Sequence, residues 1–210
     1  MDVAKFKVLP LLGILRDIEQ EIIEPLIETI IASGLKTIEI TMNTKNAAAL
    51  IRRAVELSGK QLVIGAGTVL TSDDLKSALD AGATFIVTPV LVKEVLGYCL
   101  KNKIPIFPGA LTPQEIYTAW FEGVTMVKVF PAKFFGPEYF KEIKGPFKEI
   151  KLLACAGVTA ENLKSYFSNG ADAVSFGASV FRQDWLKEKD FSSIKRSIKE
   201  YLQAFRGQYA

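Results

Sequence analysis

Histidine is absent from the 210 residues of this chain. That excludes Ser-His-Asp and Cys-His nucleophilic catalysis, His-ligated zinc, and the side chain that most often moves protons near neutral pH. Acid/base work is left to Asp, Glu, Lys, Tyr or Cys. The two cysteines, Cys99 and Cys155, form no CxxC pair, and no disulfide framework is expected. Charge of one sign is also lacking: 26 basic residues face 23 acidic ones, for a net charge of +3. The basic residues are scattered, without a stripe of interleaved aromatics, so nucleic acid is not an expected partner. There is no apolar run of the roughly 18 residues that a membrane helix needs. The start, Met1-Asp-Val-Ala-Lys5, has no long apolar region, so no signal peptide is expected and a cytoplasmic location is.

What is present is an alternation. With 49% hydrophobic and 23% charged residues, the chain is expected to form one domain with a large core, spanning residues 1–210. Eight short apolar runs read as strands: Pro10–Arg16, Thr37–Met42, Leu62–Val69, Phe85–Val90, Ile104–Ala110, Met126–Ala132, Lys151–Val158 and Ala173–Ser179. Amphipathic segments with helix signals separate them. Thr71-Ser-Asp-Asp74 opens one helix and Ala81-Gly82 closes it; Thr112-Pro113 opens another, closed by Gly123. Thr159-Ala-Glu-Asn162 opens a third, ended by Asn169-Gly170, and the last helix spans about Phe191 to Phe205. Gly34 ends the first helix, whose Ile22, Ile23, Leu26, Ile27, Ile30 and Ile31 recur at helical spacing. Eight evenly spaced strand–helix units predict a closed (β/α)8 TIM barrel; an open doubly wound sheet is the alternative. In such a barrel the site lies at the C-terminal ends of the strands.

Two strands carry a polar anomaly. In Met126-Val-Lys-Val-Phe130, alternation puts Met126, Lys128 and Phe130 on one face and Val127 and Val129 on the other. Lys128 is then either an edge lysine reaching water or a desolvated amine able to attack a carbonyl. In Thr37–Met42, the apolar Ile38, Ile40 and Met42 face the helices, while Thr37, Glu39 and Thr41 face inward. A carboxylate there needs a partner. Glu39 reads either as half of a structural ion pair with Lys128 or Arg16, or as a functional group. Arg16, Glu39, Thr68 and Lys128 converge on one mouth, which favours function. A lysine and a carboxylate in one pocket suit Schiff-base chemistry on a ketone, which needs no metal and no organic cofactor.

These residues, with several others, resemble a known family. The stretches Gly34–Thr41, Gly65–Leu70, Phe85–Pro89, Phe107–Gly109, Val127–Ala132, Gly145–Phe147 and Gly157–Asn162 are similar, in order, to those of the class I aldolases for 2-keto-3-deoxy-6-phosphogluconate and 4-hydroxy-2-oxoglutarate. The resemblance implies a (β/α)8 barrel assembled as a homotrimer, acting on a small keto acid. It implies Lys128 as the Schiff-base residue and Glu39 as the general acid/base. It further implies Arg16, Thr68 and Pro89 at the keto-acid end, with Phe130 and Asn43 also binding substrate.

The chain departs from that pattern in places. Many members carry arginine where Asn43 stands; the related 2-keto-3-deoxy-6-phosphogalactonate aldolases have asparagine there and a first strand ending like Leu15-Arg16. The loops expected to hold phosphate read Cys155-Ala156-Gly157 and Gly177-Ala178-Ser179, where members often have Thr-Gly-Gly and Gly-Gly-Ser. The added Cβ atoms and the weak thiol donor predict a smaller preference for phosphorylated substrates. Cys155 and Cys99 otherwise read as packing residues. Two competing readings stand beside the aldolase. A phosphosugar epimerase is disfavoured by the missing histidines. A barrel that only binds a metabolite would leave Glu39 and Lys128 as buried charges without use.

Overall fold

The side-chain alternation read from the sequence reappears as two apolar layers on either side of one sheet. The computed structural model describes residues 1–207. Its strands are β1 (Leu11–Leu15), β2 (Thr37–Thr41), β3 (Val63–Gly67), β4 (Ile86–Val87), β5 (Ile106–Phe107), β6 (Gly109–Ala110), β7 (Val127–Val129), β8 (Leu152–Cys155) and β9 (Ala173–Phe176). They form one sheet in the order β5-β4-β3-β2-β1-β9-β8-β7-β6, and every pairing is parallel.

Nine strands appear where eight were expected, because the fifth run is split at Pro108. Proline has no N–H to give to a ladder. The half before it, β5, pairs with β4 and the half after it, β6, pairs with β7. The chain itself carries the ring across the break, and the Pro108 carbonyl still accepts from the Lys128 N–H at 2.9 Å. The result is a nearly closed α/β barrel of the TIM type.

The helices are α1 (Val3–Val8), α2 (Ile23–Ser33), α3 (Ala47–Ser58), α4 (Ser72–Asp80), α5 (Lys93–Lys101), α6 (Pro113–Phe121), α7 (Glu138–Lys144), α8 (Leu163–Ser168), α9 (Gln183–Glu188) and α10 (Phe191–Arg206). Sequence signals set several ends. Gly34 caps α2 with φ 92°, a left-handed conformation that glycine adopts without penalty. Thr71 with Asp74, and Thr112 with Glu115, form reciprocal capping boxes at α4 and α6. The helix expected from Thr159 starts later, at Leu163. Asn162 instead accepts from the Thr159 N–H and donates to the Gly157 carbonyl, each at 2.8 Å, which holds the loop after β8 in a turn.

The outer layer between sheet and helices contains Ile38, Ile40, Val127 and Val129; the barrel interior contains Leu12, Phe85, Val87, Phe107, Met126, Leu153 and Cys155. Helix α1 had no counterpart in the sequence reading. It brings Phe6 into the interior cluster, edge-on to Phe107 with ring centres 5.9 Å apart. Among the described residues, no helix is long and apolar enough to cross a membrane.

Candidate active site

Parallel pairing sends the C-terminal ends of all strands to the same side, where a cavity of about 670 Å³ opens. Lys128 is at its wall, only 5% exposed, with its ammonium 5.2 Å from the centre of the Phe130 ring. A lysine so enclosed is rare without a task or a partner. Across the barrel, Glu39 on β2 is 1% exposed, and among the described residues its Oε2 has no hydrogen-bond partner. Burial pushes its carboxyl above the ordinary range, and the positive charges of Lys128 and Arg16 pull part of the way back. Glu39 does not itself line the cavity. It lies beside Gly67, where any Cβ would come within 2.2 Å of Oε1. The Gly65-Ala66-Gly67 run therefore has a steric logic. Gly67 makes room for Glu39, and Gly65 makes room for the Phe85 ring, 2.5 Å from a Cβ at that position.

Arg16 and Thr68 line the cavity together. The Arg16 Nη2 donates to Thr68 Oγ1 at 3.3 Å, and Gln183 Nε2 donates to the Arg16 carbonyl at 3.1 Å. Thr68 has φ 54°, uncommon for a β-branched residue, and strain of this kind tends to cluster at functional sites. Pro89 and Phe130 line the same space. Asn43 does not: it is exposed on the turn after β2 and outside the cavity lining.

The wall beside Arg16 and Thr68 is built from Cys155 at the end of β8 with Ala156 and Gly157 after it, and from Gly177, Ala178 and Ser179 after β9, where Gly177 packs against Ile14 of the neighbouring β1. Ala156 has φ 75° and Gly157 φ 81°. Ala156 thus keeps the left-handed backbone that glycine would favour, at a strain of about 1 kcal/mol; only its Cβ differs from glycine there. The Val180 and Phe181 N–H groups turn back onto the Gly177 carbonyl. Ser179 is not the free hydroxyl donor expected from sequence. The Tyr201 hydroxyl donates to the Val158 carbonyl at 2.7 Å, and the Ser179 hydroxyl lies 2.8 Å from the Tyr201 hydroxyl and 3.4 Å from the same carbonyl, so its hydrogen has an acceptor within the protein. Burial pushes Tyr201 up to about 12, so the tyrosine holds its own proton at any ordinary pH.

Several cavity residues were missed in the sequence, among them the polar Asp17, Lys133, Thr159, Ser175 and Gln183. Ser175 shares the inward face of β9 with Ala173, which period-two alternation could have found. Asp17 follows β1, Lys133 lies in a short 3-10 helix after β7 and Gln183 opens α9, places that strand alternation does not reach. Cys155 lines the cavity too. Cys99 is packed on α5, and burial raises its thiol to about 12, which leaves it inert.

The model of the KDPG and KHG aldolase family matches residues 3–197. The chain belongs to that family. It is therefore an aldolase, a carbon–carbon lyase. It is 32% identical over 200 residues to the 2-dehydro-3-deoxy-phosphogluconate aldolase of Pseudomonas aeruginosa, covering 95% of this chain and 89% of that one. It is 30% identical over 197 residues to the 2-dehydro-3-deoxy-6-phosphogalactonate aldolase of Escherichia coli, covering 93% and 96%. A solved KDPG aldolase from Legionella pneumophila, with pyruvate captured at low pH as a covalent carbinolamine intermediate, superposes with a TM-score of 0.87 at 26% identity, covering 95% of this chain and 97% of that one. The barrel of this aldolase thus has the architecture that holds such an intermediate in the Legionella protein.

Proposed function

We propose that this aldolase cleaves 2-keto-3-deoxy-6-phosphogluconate, and 4-hydroxy-2-oxoglutarate beside it, through a Schiff base on Lys128. The observation that carries the reading is one arrangement. An almost fully buried amine on β7 opens into a cavity whose wall is backed by an almost fully buried carboxylate on β2, whose Oε2 has no hydrogen-bond partner among the described residues. The covalent pyruvate in the Legionella relative supports it.

Lys128 Nζ, as the free base, attacks the C2 ketone to give a carbinolamine. Glu39 protonates the departing hydroxyl, and loss of water leaves an iminium. Glu39, now ionised, takes the proton of the C4 hydroxyl as the C3–C4 bond breaks. The bonding electrons flow into the iminium, giving an enamine, and the aldehyde leaves. C3 of the enamine is then protonated, and water hydrolyses the imine to pyruvate and free Lys128. A carboxyl raised by burial exchanges protons closer to neutral pH, which suits it to both directions of transfer. Arg16 and Thr68 hold the keto-acid carboxylate, Pro89 and Phe130 flank the carbon chain, and the turns after β8 and β9 take the far end.

The galactonate reading rests on Asn43 and on Leu15-Arg16. The exposure of Asn43 outside the cavity removes half of that support. The reading includes a homotrimer, supported by exposed aromatic surface at Phe121, Phe134 and Phe135, which subunit contact would bury. It includes a cytoplasmic setting, which suits two buried free thiols. The test is pyruvate release from both substrates by wild type and Lys128→Met. Loss of about 10³-fold or more supports a covalent role; residual activity within tenfold of wild type excludes it. Sedimentation reads the oligomer independently.

A further inference from the structure

We propose that Lys133 is a specificity-determining residue that clamps a terminal phosphate at the far end of the substrate. The inference rests on the Schiff-base reading of the same cavity.

Charge is the first observation. The charged side chains lining the cavity are Arg16, Asp17, Lys128 and Lys133. Arg16 and Asp17 are adjacent in the chain just after β1, and Lys128 is the reacting amine. The turns after β8 and β9 contribute no acidic residue to the cavity. The lining thus carries three cations against one carboxylate, and Lys133 is the cation packed against the turn after β8.

Placement is the second. A Cβ on Gly157 would lie 2.4 Å from Lys133 Cβ and 3.0 Å from its Cα. The root of Lys133 is thus packed directly against the turn after β8. Its tip is free: the side chain is exposed, and its ammonium rests 5.1 Å from the centre of the exposed Phe134 ring. A fixed stem with a mobile head can swing from the ring onto a bound anion. A lysine ammonium suits that task, as a compact charge with three donors on a flexible stem.

Need is the third. On these turns Cys155 offers only a weak thiol donor, and the Ser179 hydroxyl already has acceptors in Tyr201 and the Val158 carbonyl. A phosphate carries about two charges near neutral pH, so a single cation there discriminates strongly against a neutral hydroxyl.

The experiment compares kcat/KM for a 2-keto-3-deoxy acid with and without its terminal phosphate, at low and moderate salt. Wild type, Lys133→Ala and Lys133→Arg are measured side by side, with folding checked by circular dichroism. Loss of a charge-assisted contact predicts that Lys133→Ala lowers kcat/KM for the phosphorylated substrate by about tenfold or more, mostly through KM. The unphosphorylated substrate should lose less than about threefold, Lys133→Arg should keep the preference, and Lys133→Ala should be less sensitive to salt. Equal losses on both substrates, or none, would show a lysine that merely rests on Phe134, and would overturn the proposal. Failure of wild type to form a reducible adduct with pyruvate would instead sink the Schiff-base reading. Wild-type adduct with an unchanged preference in Lys133→Ala sinks this inference alone.

Discussion

Gly67 and Glu39 occupy what is sterically one site: a Cβ on Gly67 would lie 2.2 Å from Oε1 and 2.6 Å from Cδ of the carboxylate. The carboxylate can stay where it is only because β3 presents a hydrogen atom there. Gly67→Ala should therefore displace the carboxylate proposed to transfer protons while leaving Glu39 itself unsubstituted. We expect a folded barrel whose kcat falls by about 10- to 10³-fold, within the usual worth of a placed acid/base, while KM changes little. A variant with normal kcat would show that Glu39 has room to move and that its position is not critical.

The second prediction concerns pH. Burial holds the Glu39 carboxyl above its ordinary value of 4.5, so the folded protein keeps this proton after the unfolded chain has released it. The folded state then binds more protons, and stability falls as pH rises from about that ordinary value through the raised one. Glu39→Gln is neutral throughout and lacks this decline. Urea midpoints across a pH series should show the variant gaining on wild type over that window and running level with it below. Parallel curves would contradict the burial argument. Turnover of the same variant should fall about 10²- to 10⁴-fold.

The third concerns the far end. Ala156 already has the backbone of a glycine, so Ala156→Gly removes a Cβ without reshaping the turn. Together with Cys155→Thr it adds a hydroxyl donor. We expect the preference for phosphorylated substrate, measured as a ratio of kcat/KM values, to rise by about tenfold, the worth of one hydrogen bond to a charged oxygen. An unchanged ratio would mean that these positions do not face phosphate.

The fourth tests the link from α10 to that turn. Tyr201→Phe deletes the donor to the Val158 carbonyl and a hydrogen-bond partner of the Ser179 hydroxyl. It should cost about 1 kcal/mol of stability, as a shift of the urea midpoint at constant slope. No shift would mean that water replaces the hydroxyl without loss.

Much of this site was legible because a strand has a period of two. Alternation alone put Lys128 with Met126 on the inner face and Val127 with Val129 on the outer one, and it set Glu39 against Ile38 and Ile40. Capping residues marked the starts of α4 and α6 for an equally local reason. What escaped was tertiary. Helix α1 is short and buries only Phe6, and its place under the barrel depends on Phe107, a hundred residues away. The split at Pro108 arises from which neighbour each half-strand meets. The pairing of the Ser179 hydroxyl involves a tyrosine from the last helix. Asn43 entered through resemblance alone, and its exposure shows how little a single matching position carries.

The central claim is that Lys128 bonds covalently to the substrate. The direct measurement is incubation with pyruvate and borohydride, followed by mass spectrometry of the digested protein. The account predicts one reduced pyruvate adduct, on the peptide carrying Lys128, and none in Lys128→Met. A folded wild-type protein that gains no adduct, or one whose adduct lies on Lys133 or another lysine, would contradict it.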